Sequence, residues 1–338
     1  MKQKKILIFA QGTIGDMITA LSAMQKIRNF YKEDVIHLHN TYPGSNDVHK
    51  TLFEHLNLFD KMFFSQVKYS FFSSVFQRFR NWFRLFLEHY DAIYEFPNNQ
   101  LSPKWILRAF CAKKICTIHE LNPSGIPRYR YLLNFLADCG IPRTDGDEVV
   151  NWNFQPEEIA AAKEWFSRIP VPQGYTPFVM CTGGKSQIQH WHLERYAEVL
   201  KKIVPEYHLF PVFVGVDHDR KDAEFLIKEC GMGIFSQDIG VISLREMIIA
   251  FNNFKLYLGN DTGILHLAGA AGIPSVSVSS ARDPIKYWNP LNGQLHKTAV
   301  ADISCKWCRK DNCDRPENLT CINKVSVKNV FRMIQEQL

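Results

Sequence analysis

Three glycine-containing turns follow apolar runs of the sequence, and each has residue types that allow close approach to an anion. The first reads Gly12-Thr13-Ile14-Gly15-Asp16 and comes after the run Lys4–Ala10. Two glycines permit a tight turn, and the helix that follows offers unpaired backbone N–H groups. Asp16 lies in the first helical turn, where a carboxylate can also be an ordinary cap worth about 1 kcal/mol. The turn alone leaves both interpretations open.

The second turn lies within Gly259–Ala268 and has the fuller set of anion-binding groups. Asp261 or Thr262 can cap the helix that follows. The backbone N–H groups of Thr262 and Gly263 then lie at the positive end of the helix dipole. His266, one turn further, can point toward the same anion. The alternative is a capped core helix with a hydrogen-bonded histidine.

The third turn reads Thr182-Gly183-Gly184-Lys185-Ser186 and again follows a strand-like run. Its backbone and hydroxyl groups can hold phosphate oxygens. It is not a Walker A loop, because the required spacing between the glycine and the Gly-Lys-Ser/Thr end is absent. A simple glycine-rich turn is the structural alternative.

Four of the nine cysteines are clustered near the C-terminus, at Cys305, Cys308, Cys313 and Cys321. Four thiolates at such spacing can hold a tetrahedral zinc or iron in a structural role. In a reducing compartment a cluster of this kind favours metal over disulfides. Reduced thiols, or disulfides formed on oxidation, are the alternative.

The elements that must position these turns alternate between strand and helix along the whole chain. Apolar strands separated by helices predict parallel sheets covered on both faces. The predicted strands include Ala92–Phe96, Lys114–His119, Phe210–Gly215 and Ser275–Ser279. The pattern occurs twice, and the Pro- and Gly-rich stretch 169–177 separates the two halves. We therefore expect an α/β protein with two doubly wound, Rossmann-like domains and ligands at the carboxyl ends of the strands.

Composition excludes several classes of protein. The 338 residues are 46% hydrophobic and 22% charged, as in globular proteins, and carry a net charge of +6. No apolar run reaches the ~20 residues of a membrane-spanning helix. The basic N-terminus is followed only by the short run Ile6–Ala10, which is too short for a signal peptide and favours the cytoplasm.

Residues 61–130 carry eleven Lys or Arg against four Asp or Glu. Such a surface suits an anionic partner, although an ordinary solvated face has the same composition. Within it, aromatic residues recur at helical spacing: Phe72, Phe76, Phe79, Phe83 and Phe86. This stripe is interpreted as packing on the N-terminal core, with membrane contact by an amphipathic helix as the alternative.

Taken together, the turns resemble glycosyltransferase family nine, the ADP-heptose–lipopolysaccharide heptosyltransferases. The resemblance rests on the Gly15-Asp16 turn after the Lys-rich first strand and, above all, on Asn260–Pro274. The helix starting at Ser243, the segment Asp283–Pro290 and the cysteine cluster are also similar to the family. The resemblance runs in order over nearly the whole chain and is strongest in residues 5–30 and 175–325.

The resemblance implies a GT-B fold, with an acceptor-binding domain at 1–170 and a nucleotide-sugar-binding domain at 171–338. The final helix can pack back on the first domain. It also implies an inverting transfer without a catalytic metal, in which Asp16 matches the general base. The donor would be bound by a set that the resemblance and the turns suggest together: Thr13, Gly15, Thr182, Gly183, Gly184, Lys185, Gln189, Asp219, Asp261, Thr262, Gly263 and His266.

The physical chemistry of transfer fits this picture. A departing nucleoside diphosphate carries charge that a helix N-terminus at Thr262 and the side chain of His266 can stabilise without Mg²⁺. The acceptor hydroxyl must lose a proton, and a carboxylate in the opposite domain can take it. The family commonly has a Lys where this chain has Gln189, and Lys185 can supply that charge from nearby.

We therefore expect a transferase that moves a heptose or related sugar from ADP-heptose to a hydroxyl of lipopolysaccharide core or a related glycan. The partners would be the nucleotide sugar and an anionic glycolipid or glycan acceptor, with peripheral contact at the inner face of the cytoplasmic membrane and no nucleic acid. A protein acceptor or another nucleotide sugar is one alternative. A non-catalytic subunit that binds nucleotide sugars is the alternative from a different class.

Overall fold

The chain forms two units, Met1–Asn153 and Phe154–Leu338. The computed structural model describes residues 3–10, 12–40, 46–64, 83–96, 113–118, 125–184, 186–284, 286–310, 312–316 and 320–338. The units meet in sequence ahead of residue 170, the division expected from the Pro- and Gly-rich stretch. The assignment of acceptor and donor roles to the two domains stays a prediction.

The first unit is built on a five-stranded parallel sheet in the order β3-β2-β1-β4-β5. Its strands are β1 (Lys5–Ala10), β2 (Val35–Asn40), β3 (Lys61–Phe64), β4 (Ala92–Phe96) and β5 (Lys114–Cys116). Its helices are α1 (Ile14–Phe30), α2 (Asn46–Phe53) and α3 (Arg128–Asp138). A further helical segment spans residues 83–88.

The second unit is built on a six-stranded parallel sheet in the order β11-β10-β9-β6-β7-β8. Its strands are β6 (Thr176–Cys181), β7 (Leu209–Phe213), β8 (Ile234–Phe235), β9 (Tyr257–Asn260), β10 (Ser275–Val278) and β11 (His296–Ala299). Its helices are α4 (Pro156–Ser167), α5 (Leu193–Glu206), α6 (Arg220–Cys230), α7 (Leu244–Phe251), α8 (Gly263–Ala271) and α9 (Val327–Gln335).

The two sheets confirm the predicted doubly wound α/β class, and their strands are apolar for the expected reason. The central strands β1, β4, β6 and β7 are buried almost throughout, so both faces of each sheet need apolar side chains. In the second unit α5 and α9 cover one face, and α9 packs on α5, β10 and β11. The predicted strand Lys114–His119 ends at Cys116, and the strand expected at Phe210–Gly215 runs from Leu209 to Phe213.

Helix α4 packs along α7 in the second unit through a buried ion pair. Arg245, 1% exposed at its side chain, places Nε 2.6 Å from Glu158 Oε1, and its guanidinium stacks over the Phe154 ring. The indole N–H of Trp165 donates to the carbonyl of Gly240 at 2.7 Å. These contacts anchor the start of the second unit.

The aromatic stripe is only partly within the described residues. Phe72, Phe76 and Phe79 lie outside them. Phe83 and Phe86 are 53% and 42% exposed, whereas Leu85 between them is fully buried in the core of the first unit. At these two positions the predicted packing of the stripe on the core is therefore wrong, because this helix buries the face that carries Leu85. Among the described residues, none of the helices is long and apolar enough to cross a membrane.

Candidate active site

Asn260, the last residue of β9, joins two of the predicted phosphate-binding turns. It is fully buried, and its side-chain amide donates to the carbonyls of Thr182 and Gly183, the latter at 3.2 Å. Its Oδ1 accepts the hydroxyl of Tyr196 at 2.7 Å. Because β6 and β9 are neighbours in a parallel sheet, their carboxyl ends meet at one edge. Asn260 fixes the backbone there.

A second set of contacts links the same two turns. The amide of Gln189 donates to the carbonyl of Asp261 at 3.0 Å, while its Oε1 accepts from the backbone N–H and hydroxyl of Ser186. The thiol of Cys181 lies 3.7 Å from the hydroxyl of Thr262. Burial raises the pKa of Cys181 to about 11, so the thiol stays protonated at neutral pH.

The turns approach so closely that a side chain would not fit at Gly259. A Cβ atom there would lie 2.1 Å from the carbonyl oxygen of Cys181. Near it, the Tyr257 hydroxyl donates to the Asn260 carbonyl at 2.6 Å. Burial raises the pKa of Tyr257 far above its ordinary value, which keeps that donor protonated. Glycine is therefore required by close backbone approach at the end of β9.

The third contributor to this edge is Asp219, which follows β7. Its Oδ2 accepts the backbone N–H of Val216 at 2.9 Å. A Cβ atom added at Gly183 would lie 2.9 Å from Asp219 Oδ1, and one at Gly215 would lie 2.6 Å from Oδ2. The carboxylate therefore lies against the glycines that follow β6 and β7. The sequence associated Asp219 with this site only by a loose similarity.

Helix α8 starts at this edge. Thr262 is its N-cap, with the extended dihedrals φ −139° and ψ 177°, and Gly263 is its first helical residue. Ser279, just after β10, donates its hydroxyl to Asp261 Oδ2 at 3.3 Å. His266 is one turn into the helix and 4% exposed. The structure therefore brings the second and third turns together, with the helix N-terminus at the carboxyl edge of the sheet.

The first turn belongs to the other unit, after β1. Asp16 is 5% exposed, and its Oδ2 accepts the backbone N–H of Thr13 at 2.7 Å and the Thr13 hydroxyl at 3.1 Å. Gly12 has φ +136°, and a Cβ atom there would lie 2.3 Å from the Asp16 side chain. Arg128, fully buried, donates to the Asp16 carbonyl at 2.8 Å and to Thr19. Asp16 therefore caps α1 and is fixed in orientation.

Two predicted site features are incompletely described. Lys185 lies outside the described residues. In the part of the chain that is described, no three His, Cys, Asp or Glu side chains are grouped as metal ligands. Cys305 and Cys308 are exposed and Cys313 is partly exposed, whereas Cys321 is buried.

Cys321 is tied to the protein by its Sγ, which accepts the backbone N–H of Ala281 at 3.3 Å. Burial raises the pKa of its thiol, and the thiols of Cys308 and Cys313 add to the rise. The cysteine segment also bonds to the loop after β10, because the N–H of Trp307 donates to the Ala281 carbonyl at 2.7 Å.

Sequence reasoning missed Asn260 and Tyr196 as parts of this site. The signal for Asn260 is an amide side chain at the end of an otherwise apolar run, where a buried polar group needs hydrogen-bond partners. Burial raises the pKa of Tyr196 well above its usual range, so its hydroxyl is a donor. Nothing in the residues around Tyr196 indicated its partner.

Comparisons with known proteins identify one family. The model of glycosyltransferase family 9 (heptosyltransferase) matches residues 87–318. The lipopolysaccharide heptosyltransferase 1 of Campylobacter coli is 23% identical over 203 residues. That match covers 56% of this chain and 57% of the relative, so it extends over little more than half of the relative's length.

Solved structures are similar over nearly the full length. A glycosyltransferase family 9 protein from Veillonella parvula DSM 2008 has a TM-score of 0.71 at 15% identity, covering 99% of this chain and 97% of that one. The E. coli ADP-heptose–LPS heptosyltransferase II has a TM-score of 0.65 at 15% identity, covering 98% of each chain. At this identity the likeness concerns the fold, and it agrees with the expected GT-B architecture.

Proposed function

We propose that this chain, which belongs to glycosyltransferase family 9, transfers a heptose or related sugar from ADP-heptose to a hydroxyl of lipopolysaccharide core or a related glycan. The relatives' names support the sugar and the acceptor: one is a lipopolysaccharide heptosyltransferase, and another uses ADP-heptose. The reaction proposed is inverting and independent of a catalytic metal.

One observation carries the proposal: the carboxyl ends of β7, β6 and β9 bring an acidic side chain, a glycine turn and a helix N-terminus together. Asp219 lies against Gly183, and Asn260 ties the Thr182-Gly183 backbone to the start of α8. The glycine backbone and the helix N-terminus suit a diphosphate. A carboxylate beside them suits the hydroxyls of a ribose.

The same groups can assist departure of the nucleoside diphosphate. Charge grows on the leaving phosphate as the bond to the sugar breaks. The N–H groups at Thr262 and Gly263 and the helix dipole stabilise that charge without rearranging. Gln189, held by Ser186 and directed at the Asp261 carbonyl, adds a neutral amide where the family commonly has a Lys. Lys185 supplies the cation in this proposal.

Asp16 is the proposed general base, which takes the proton of the acceptor hydroxyl as that oxygen attacks the sugar. Its carboxylate is fixed by two bonds from Thr13, so its orientation does not depend on substrate. Thr13 and Gly15, in the same turn as Asp16, are proposed as members of the donor-binding set. Capping of α1 alone would give the same two bonds, and this makes the kinetic test of Asp16 necessary.

Binding and transfer assays together test the proposal. Calorimetric titration should show ADP binding, and Gly263→Val and His266→Ala should each weaken it while circular dichroism stays unchanged. For His266→Ala the expected loss is about 1–3 kcal/mol, as for a hydrogen bond to a charged group. ADP affinity unchanged in both variants would place the donor elsewhere.

Three alternatives remain as outcomes of the same experiments. Transfer to a protein side chain, or from a different nucleotide sugar, would appear when acceptors and donors are exchanged in the transfer assay. A non-catalytic subunit would bind ADP-heptose yet neither transfer nor hydrolyse it. Since this chain has Asp16 at the position of the proposed general base, we favour an enzyme over a non-catalytic subunit.

The cysteine cluster is proposed as a structural zinc or iron site. Among the described residues no three possible ligands are grouped, so the proposal rests on the spacing of Cys305, Cys308, Cys313 and Cys321 in the sequence. Cysteine thiolates suit either metal. Elemental analysis of protein purified without a metal-affinity tag should find about one metal per chain. Substoichiometric metal together with paired disulfides in mass spectrometry would contradict the assignment.

We also propose a cytoplasmic protein that touches the inner face of the cytoplasmic membrane, where a glycolipid acceptor is found. The exposed Phe83 and Phe86 support this contact. Sedimentation with anionic vesicles should fall when both are replaced by serine. Equal sedimentation of the double variant would remove these residues from the contact.

A further inference from the structure

Two cysteines of the first unit lie side by side although they are far apart in the sequence. Cys116 is the last residue of β5, and Cys139 is the C-cap of α3. Both are free thiols, and their side chains share a hydrogen bond. The sugar transfer proposed above uses neither of them.

Other contacts bring the end of α3 onto the same face of β5. Lys114 and Cys116 are two positions apart in a strand, so their side chains point to one face of the sheet. The ammonium group of Lys114 donates to the carbonyl of Cys139. A Cβ atom added at Gly140 would lie 3.7 Å from the same nitrogen. The backbone around Cys139 therefore lies over the face of β5 that carries Cys116.

Neighbouring side chains fix this arrangement. Cys116 is opposite Tyr94 of β4 in the sheet register, and Lys114 Nζ lies 5.8 Å from the centre of the Tyr94 ring. The hydroxyls of Tyr94 and Tyr31 are 2.8 Å apart, which ties the same face to α1. Cys116 is buried, whereas Cys139 is partly exposed. The pair is thus held by packing, and Cys139 gives a small solute access to it.

The two thiols differ in their readiness to ionise. The hydrogen bond from Cys139 lowers the pKa of the Cys116 thiol, and the Lys114 ammonium adds to the decrease, while burial opposes it. The same hydrogen bond raises the pKa of Cys139 far above its ordinary value. Because thiolates rather than thiols are nucleophiles, Cys116 is the group that reacts first and Cys139 is the second thiol of the pair.

We propose that Cys116 and Cys139 are a redox-active dithiol, which a hydroperoxide converts into a disulfide within the chain. This modification site is independent of the sugar transfer proposed above. In a reducing compartment the pair stays as two thiols, and the disulfide forms only when the hydroperoxide concentration rises.

The reaction needs no group beyond the two thiols and the hydroperoxide. The Cys116 thiolate attacks the hydroperoxide, the O–O bond breaks, and Cys116 becomes a sulfenic acid while the other oxygen leaves as an alcohol, or as water from hydrogen peroxide. The sulfur of Cys139 then attacks the Cys116 sulfur, the S–O bond breaks, and the hydroxyl group leaves as water with the Cys139 proton. Two electrons pass from the thiols to the hydroperoxide, and a dithiol reductant reverses the change.

The disulfide would stabilise the helix that supports the Asp16 turn. Closing residues 116–139 into a loop restricts the unfolded chain more than the folded one. At the start of α3, Arg128 donates to the carbonyl of Asp16 at 2.8 Å and to the hydroxyl of Thr19. Oxidation therefore anchors the second end of a helix whose first end already holds α1.

Peptide mapping of the purified, fully reduced protein tests the proposal. After treatment with hydrogen peroxide and alkylation of the remaining thiols, mass spectrometry should find the Cys116 peptide linked to the Cys139 peptide. Dithiothreitol should remove the link. Cys116→Ser and Cys139→Ser should lack it, whereas the control Cys230→Ser, at a partly buried thiol that bonds to the Met232 carbonyl, should form it as wild type does.

Thermal unfolding gives a second measurement. Oxidised wild type should have a Tm roughly 6–12 °C above that of the reduced protein, as expected for a loop of this length in a unit of this size. Cys230→Ser should show the same rise and Cys116→Ser should not, which separates this pair from the cysteines near the C-terminus.

The wild-type mapping does not depend on either serine variant being folded. Cys116 and Cys139 that stay separately alkylated after peroxide treatment, or that link to other cysteines, would overturn the proposal. A linked pair without a rise in Tm would overturn the stabilising role of the disulfide.

Discussion

Replacing Asn260 by alanine should destabilise the second unit and disconnect the two turns that we propose bind phosphate. The side chain makes three hydrogen bonds inside the protein: two from its amide to the carbonyls of Thr182 and Gly183, and one from the hydroxyl of Tyr196 to its Oδ1. It is fully buried, so water cannot replace these partners without entering the core.

The size of the effect follows from those three bonds. Each contributes about 1 kcal/mol net, and a buried group left without a partner costs about 1–3 kcal/mol. We expect the free energy of unfolding to fall by about 3–5 kcal/mol in total. For a unit of this size, 1 kcal/mol lowers Tm by about 2–4 °C, so Tm should fall by roughly 6–20 °C.

Thermal unfolding followed by circular dichroism measures this shift, with Asn253→Ala as the matched control. Asn253 is exposed, and its side chain makes one local bond, to the Ala250 carbonyl at 3.2 Å. The control should change Tm by no more than about 2 °C. At a temperature where Asn260→Ala remains folded, its ADP affinity should still be at least about tenfold lower, because the turns are no longer held together.

A Tm for Asn260→Ala within about 2 °C of wild type would refute this reasoning. It would mean that the three bonds are replaced by other partners. Wild-type ADP affinity in a destabilised variant would refute only the second step, that the bonds align the diphosphate site.

Three further predictions concern other parts of the chain. Asp16→Asn should keep ADP binding and lower the transfer rate by about a hundredfold or more, the usual scale for a general base; near-wild-type transfer would leave Asp16 as a helix cap only. Burial lowers the pKa of His39 to about 4 from 6.5. The unfolded chain therefore takes up the proton first as pH falls. Between pH 7 and pH 5 the free energy of unfolding should drop by about 2 kcal/mol more in wild type than in His39→Leu, as measured by urea unfolding at both pH values. An equal drop in both proteins would contradict the burial of a neutral His39. Gly183→Ala should weaken ADP binding, because its Cβ would lie 2.9 Å from Asp219 Oδ1. The control Gly174→Ala, at a turn with nothing within 4 Å of the added Cβ, should leave ADP affinity unchanged. Equal ADP affinities in the two variants would contradict the proposed site.

The architecture was predictable because it depends on pattern rather than on individual contacts. Apolar runs such as Ile6–Ala10 and Phe178–Cys181 are buried on both faces, which is the signature of parallel strands. Strand ends were less predictable. The run Lys114–His119 keeps the strand-like residues Thr117 and Ile118 beyond the point at which β5 stops pairing, at Cys116. Pairing is decided by the neighbouring strand, which the local sequence does not contain.

The candidate site was predictable where a strand with Gly259 at its end runs into a helix, because close backbone approach needs glycine and a helix N-terminus binds anions. Its supporting residues were not. Asn260 and Tyr196 are 64 positions apart, and only the folded sheet brings their side chains within 2.7 Å. Asp219 was associated with the site by similarity, and its packing against Gly183 is a tertiary contact that no spacing rule contains.

Strand β10 shows the opposite case, because its sequence contains a signal that can be interpreted only in the folded sheet. The alternation of Ser275, Val276, Ser277 and Val278 indicates a strand with one polar face. Only the register with β11 pairs those serines with His296 and Thr298.

The most direct test of the central claim is a transfer assay with purified protein, ADP-heptose and a lipopolysaccharide core acceptor that lacks heptose, read by mass spectrometry. We expect an acceptor heavier by one heptose residue and an equal amount of released ADP, both dependent on Asp16 and unaffected by a chelator of divalent cations. Intact acceptor and intact ADP-heptose after incubation with protein that binds ADP would contradict it.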